Sequence, residues 1–295
     1  MFCKYRTILS IDGGGLLGII PLKILTYLHE SLTKLDENLD IASWIDVFSS
    51  TSTSTIFTGA LMLKDKFGET KYQPDEILKF YQDRGQQIFN KNIGINAKNS
   101  VYPLSFVLEH FFGDITMDDF KNHFLFVSYN KKHQEFFTFS NTMDRFHDLP
   151  LSKVMQACSA MEGVFPPLML GNNELVDAKL YFQNPALMAY DYARLFYTND
   201  PIILISIGTG ELMNINTNQL ISRQSLEIHL ELENISRRDK RLIYFRYQPK
   251  IDIEFMKDNL SFSQIEQLID VTNLYIKDNH SKFEELIEFI ALKAV

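Results

Sequence analysis

The chain is poor in cysteine: Cys3 and Cys158 stand far apart and form neither a CxxC pair nor a disulfide framework. That usage fits a reducing compartment. Cys158 falls in the apolar helical pattern of residues 154–160, where it reads as a small buried thiol. Long hydrophobic runs are missing too. No stretch approaches the length that crosses a bilayer, and the apolar run within residues 1–11 is too short for a signal peptide. The expectation is a soluble or cytoplasmic protein, with export by another route left open. Basic charge is in deficit, with 29 Lys+Arg against 37 Asp+Glu and a net charge of −8. A nucleic-acid partner needs a basic footprint and is not expected, nor is strong attachment to anionic membranes through a basic face. The one dense basic run, Arg237, Arg238, Lys240 and Arg241, is interrupted by Asp239 and reads as a solvated turn or helix face. Metal-ligand patterns are absent as well: there is no HExxH and no cluster of acidic residues with histidines, so neither metal nor other cofactor is expected.

What is present is an ordinary globular balance, 45% hydrophobic and 22% charged, which allows a dense core without disulfide support. Strands are expected at residues 7–11, 44–48, 124–129, 135–139 and 202–207, and one closing at 175–177. Helices are expected from about residue 19, with Pro21 in the first turn, and over 56–63, 74–89, 101–112, 151–160 and 185–196. Two more are expected in the tail, at 262–277 and 282–293. Residues 90–100 read as a loop. Residues 202–207 are apolar on both faces save Ser206, the mark of a central parallel strand. No repeat or interdomain linker interrupts this alternation. It argues for one α/β unit over 1–295, a three-layer α/β/α arrangement with a mostly parallel central sheet. The C-terminal helices, about 256–295, are expected to pack on it.

Two short tracts carry chemistry. Gly13-Gly14-Gly15-Leu16-Leu17-Gly18 satisfies GxGxxG between a strand and a helix. Three readings compete: a dinucleotide turn, an oxyanion hole of bare backbone N–H groups, and a plain strand–helix turn. Against the dinucleotide stand Asp12, which would crowd a pyrophosphate, and Asp46, read in the middle of the second strand and not at its C-terminal end. The second tract, Ser50-Thr51-Ser52-Thr53-Ser54, occupies the strand-to-helix position of a nucleophile elbow. The elbow normally reads GxSxG because its turn is strained, and here serine replaces both glycines. Taken alone, the tract reads as a Ser/Thr-rich loop.

A base completes the pattern. Leu175-Val176-Asp177-Ala178-Lys179 ends a strand and is followed by Gln183-Asn184-Pro185-Ala186. With the glycine cluster and Thr51-Ser52-Thr53, this order resembles the patatin-like phospholipase family, which carries DGGGx[R/K]G, then GTSTG, then DG[G/A] and NNPA. Residues 157–167, 205–210, the helix at 75–89 and the tail after Met256 resemble family segments too, so the likeness covers nearly the whole chain. The resemblance implies a Ser-Asp dyad with Ser52 as nucleophile and Asp177 as base, and Gly13, Gly14 and Gly15, with Thr53, around the oxyanion. It implies no catalytic histidine, and none of the seven (29, 110, 123, 133, 147, 229 and 280) lies in a catalytic motif. The implied activity is hydrolysis of fatty-acyl esters of phospholipids, lysophospholipids or neutral lipids, at a transiently touched membrane or micelle surface. A protein activator is left unassigned.

Departures from the family pattern are Leu17 in place of Arg or Lys, Ser50 and Ser54 in place of the elbow glycines, and Ala178-Lys179 after the Asp. They leave a second expectation, a catalytically impaired homologue that binds a lipid or a protein partner.

Overall fold

The computed structural model describes residues 5–37, 39–89, 102–143, 146–212, 220–252 and 260–294. The loop expected at 90–100, and Cys3, lie outside them. The elements, in chain order, are β1 (Arg6–Ile11), α1 (Ile19–Thr33), a short α2 (Ile41–Trp44), β2 (Val47–Thr51), α3 (Ser54–Met62), α4 (Pro74–Phe89) and α5 (Tyr102–Phe112). Then come β3 (His123–Asn130), β4 (Glu135–Ser140), α6 (Leu151–Ser159), β5 (Leu168–Leu170), β6 (Asn173–Asp177) and α7 (Ala186–Phe196). The remainder is β7 (Ile202–Ile207), β8 (Glu211–Leu212), α8 (Leu220–Arg238), β9 (Leu242–Tyr247), β10 (Lys250–Ile251), α9 (Phe262–Asp278) and α10 (His280–Ala294).

One eight-stranded mixed sheet runs β5-β6-β3-β2-β1-β7-β9, with β4 also paired to β3. Five neighbours, β3, β2, β1, β7 and β9, are mutually parallel, and β4, β5 and β6 join antiparallel. Side chains alternate across a strand, so each face builds its own core. Leu9, Ile11, Ile203, Ile205 and Ile207 enter the larger one, with residues of α1, α3, α4, α5, α6, α9 and α10. Ile8, Val47, Ile202 and Leu204 enter the second, with α7 and α8. Helices therefore cover both faces, and all six residues of β7 are buried as its two-sided apolar sequence requires.

The structure corrects the sequence reading at three places. Trp44 is not in the second strand. Asp40 caps a helical turn there by accepting from Ser43 N–H at 2.7 Å, and the strand starts at Val47 and takes in the serines. Asp46 therefore precedes β2, at the sheet end away from the glycine cluster, where it accepts from Thr7 N–H at 2.7 Å and pairs with Arg6. Finally, α8 and β9 were not anticipated. Leu226 and Leu230 of α8 face solvent, which blurs its apolar stripe, and β9 carries a charged residue, Arg246, within its apolar run.

Candidate active site

Sheet register brings Ser52 and Asp177 together. β4 lies along one edge of β3, pairing with Leu125 through Asn130. The other edge is shared end to end: β2 pairs up to Val127, and β6 begins at Ser128 with Asp177 opposite it. Ser52 is the next residue after β2, so it emerges beside Asp177. Its Oγ donates to Asp177 Oδ2 at 2.6 Å, between residues 125 apart in sequence. Both side chains are buried.

Ser52 has φ +60°, the left-handed region that side chains other than glycine enter at a cost of roughly 1–2 kcal/mol. That is the sharp turn of an elbow: the strand ends, one residue reverses the backbone, and α3 runs off buried along its whole length. Ser49 Oγ donates to Leu125 O across the sheet, which explains how a serine is accommodated inside a strand. Ser54, the first residue of α3, is fully buried and donates to Asp12 O at 2.7 Å, tying the elbow to the start of the glycine loop. Ser50 Oγ is buried with no hydrogen-bond partner among the described residues.

The glycine loop is held from below and from the side. The Asp12 carboxylate takes a two-pronged ion pair from Arg246 of β9, at 2.8 and 2.6 Å, in a cluster with Ser206 and Ser225. Burial opposes the Arg246 charge, but the facing Asp12 carboxylate outweighs it and holds the guanidinium above its ordinary range. Asp12 is thus buried against Arg246. Gly13 O accepts from Thr209 Oγ1 at 3.0 Å, and Gly13 N–H donates to Gln183 O at 3.1 Å. A Cβ on Gly13 would come within 2.9 Å of Ser52 Cβ, and one on Gly14 would overlap Thr209 at 2.4 Å. These two positions therefore exclude side chains by contact, whereas Gly15, at φ +60°, faces open space. Leu17 is buried in the larger core, so position 17 brings no charge to the loop.

Asp177 is positioned on three sides. Its N–H donates to Ala160 O, its Oδ1 accepts from Lys179 N–H at 2.8 Å, and Ser128 Oγ fixes the preceding carbonyl of Val176. Burial pushes its carboxyl up to about 6, against the opposing effects of the Ser52 hydroxyl, the Lys179 N–H and the Lys179 charge. Burial, reinforced by the Asp177 charge, also drives the Cys158 thiol well above its usual range and leaves it inert.

All six residues singled out in the sequence, Gly13, Gly14, Gly15, Ser52, Thr53 and Asp177, lie at this one end of the sheet, and the Ser52-Asp177 contact is direct. Sequence reasoning missed the supports: Ser54, Arg246, Thr209 and Gln183. A trace of Arg246 was visible, since a charge within an apolar strand needs a buried partner.

Comparison with known proteins places this site in context. The chain is 28% identical over 233 residues to Patatin group A-2 of Solanum tuberosum, covering 69% of this chain and 60% of that protein. It is 27% identical over 242 residues to Patatin-like protein 1 of Arabidopsis thaliana, covering 69% and 58%. The chain thus spans about 60% of the length of these relatives. Among solved structures, human GIVD cytosolic phospholipase A2 superposes with TM-score 0.56 at 9% identity, over 98% of this chain and 61% of that one, a likeness of fold. The same enzyme in complex with methyl γ-linolenyl fluorophosphonate superposes with TM-score 0.52 at 10% identity, over 99% and 60%. The family model for patatin-like phospholipases matches residues 9–190, which hold the glycine loop, the elbow and Asp177, and the chain belongs to that family.

Proposed function

We propose that this chain is a serine acyl hydrolase that cleaves fatty-acyl esters of lipids through a Ser52-Asp177 dyad. The observation that carries the reading is the 2.6 Å hydrogen bond from Ser52 Oγ, on a left-handed elbow, to a buried carboxylate. Asp177 accepts the Oγ proton as Ser52 attacks the ester carbonyl, and the alcohol leaves with that proton. Water activated by the same carboxylate then releases the fatty acid from the acyl-enzyme. A carboxyl raised to about 6 is a better base than an ordinary aspartate and is still ionised at neutral pH.

The oxyanion is assigned to the backbone N–H groups of Gly14, Gly15 and Thr53, at the N-terminus of α3, whose dipole favours negative charge there. Gly13 has a different part. Its N–H is engaged by Gln183, and its missing side chain leaves room beside Ser52. Phospholipids, lysophospholipids and neutral acyl esters are the substrate classes that fit. Exposed Leu180 and Tyr181, just past Asp177, and Phe136 form an apolar rim, with Tyr181 stacked on Tyr129 at 4.0 Å between centroids. That rim suits transient contact with a membrane or micelle. Among the described residues no helix is long and apolar enough to cross a bilayer.

The test is labelling by a fluorophosphonate probe together with fatty-acid release from mixed phospholipid vesicles. Wild type should label and release, and Ser52→Ala should do neither. A folded wild type that never labels would instead be a non-catalytic homologue that binds lipid or protein.

A further inference from the structure

We propose that Lys179 is the residue through which this site selects a phosphate-bearing acyl ester over a neutral one, a role that rests on the hydrolase reading above. Three observations place it. Its backbone N–H is bound to Asp177 Oδ1 at 2.8 Å, so the start of its side chain is fixed relative to the dyad. Its Cγ lies 3.5 Å from where a Cβ on Gly13 would stand, and that same point is 2.9 Å from Ser52 Cβ. The start of the aliphatic stem therefore lies against the glycine loop beside Ser52. Lys179 is half-buried, next to exposed Leu180 on the apolar rim.

The chemistry of the substrate supplies the reason for a cation there. Asp177 acts as a base only when ionised. In a glycerophospholipid the phosphate is a few bonds from the scissile carbonyl, so it must approach that carboxylate. Two like charges at close range in a desolvated site repel strongly unless a cation stands between them. The chain as a whole adds to the problem with a net charge of −8. Position 17, within the glycine loop, is filled by a buried leucine. Among the described residues, Lys179 is the cation held closest to the dyad by its own backbone, and its charge favours the ionised Asp177 carboxylate. An ammonium is a compact point charge on a flexible stem, suited to meeting a phosphate whose position varies with head group.

Binding is measured first, free of turnover, with a short-chain dialkyl ether phosphatidylglycerol that has no ester to cleave. Calorimetry compares wild type with Lys179→Met, which keeps the stem and drops the charge, and Lys179→Arg, which keeps the charge. Lys179→Met should weaken binding roughly tenfold, the factor carried by a charge-assisted hydrogen bond to phosphate, and Lys179→Arg should recover most of it. Turnover is measured second, as the ratio of kcat/KM on short-chain phosphatidylglycerol to kcat/KM on p-nitrophenyl butyrate. That ratio should fall about tenfold in Lys179→Met. Equal affinity of wild type and Lys179→Met for the ether lipid, or no binding by either, overturns the proposal. So does an equal loss of turnover on both esters, which would leave Lys179 serving Asp177 alone. Charge-dependent binding of the ether lipid without turnover of either ester would sustain Lys179 and overturn the hydrolase reading instead.

Discussion

In the proposed dyad, Asp177 sets two opposite demands on pH. As a base it must be ionised, and burial has moved its carboxyl from the ordinary 3.8 to about 6. In a profile taken with a soluble ester, kcat/KM should rise roughly tenfold per pH unit below about 6 and level off above it. A profile flat from pH 5 to 8 would remove Asp177 from the base role. Stability runs the other way. Below 3.8 the carboxyl is protonated in both states and costs nothing. Between 3.8 and about 6 the folded chain holds a proton that the unfolded chain has released, so stability falls as pH rises through that window. The loss levels off above 6 at a size on the order of 3 kcal/mol. Asp177→Asn is neutral at every pH. It should raise the melting temperature clearly at pH 8 and hardly at pH 4, while abolishing turnover. An equal shift at both pH values would mean the carboxyl is not buried as described.

The two serines that replace elbow glycines are not equivalent. Ser54 Oγ reaches Asp12 O across the join between α3 and the glycine loop, while Ser50 Oγ, inside β2, has no hydrogen-bond partner among the described residues. Ser54→Gly should therefore lower both stability and rate. It removes a buried hydrogen bond worth about 1 kcal/mol and adds chain entropy to a helix start. Ser50→Gly should change the rate little and cost only the strand-entropy term, about 0.5–1 kcal/mol. Urea unfolding and p-nitrophenyl ester kinetics on both variants decide it, and a faster Ser54→Gly enzyme would show that the tie is a hindrance. A second pair divides the glycine loop. Gly14→Ala drives a methyl into Thr209 and should cost about 1–3 kcal/mol, whereas Gly15→Ala meets open space and should cost only its left-handed backbone, about 1 kcal/mol. Equal costs in urea unfolding would mean that the Thr209 contact gives way freely. From sequence alone, the serine tract read as a loop because hydroxyls in a strand look like turn chemistry. The acceptor of Ser49, Leu125 O, lies on a neighbouring strand that no local pattern reveals. The glycine cluster, Ser52 and Asp177 were legible because each sits at a strand end, where the punctuation is local. Lys179, by contrast, appeared only as a departure from a motif.

The architecture was readable where one rule governs a whole element, as in β7, apolar on both faces and buried on both. It was unreadable at α8 and β9, where Arg246 breaks the apolar run for the sake of Asp12, a residue 234 positions away. That pair gives a further prediction. Arg246→Met leaves the Asp12 carboxylate buried and uncompensated and should cost about 3–5 kcal/mol, with the glycine loop losing its support. Adding Asp12→Leu should recover much of that stability without restoring turnover, because the loop would be folded but no longer aimed. Chemical denaturation of the single and double variants measures this, and a double variant as unstable as the single one would show that the charge was not the cause. The end-to-end placement of β2 and β6 on one edge of β3 has a consequence in time as well as in space. During synthesis the serine emerges long before its base, and the strand that aligns them lies between. Until residue 177 has left the ribosome and docked in register, Ser52 lacks the carboxylate that its hydroxyl meets in the folded chain, so the proposed dyad waits on the pairing of β6 with β3.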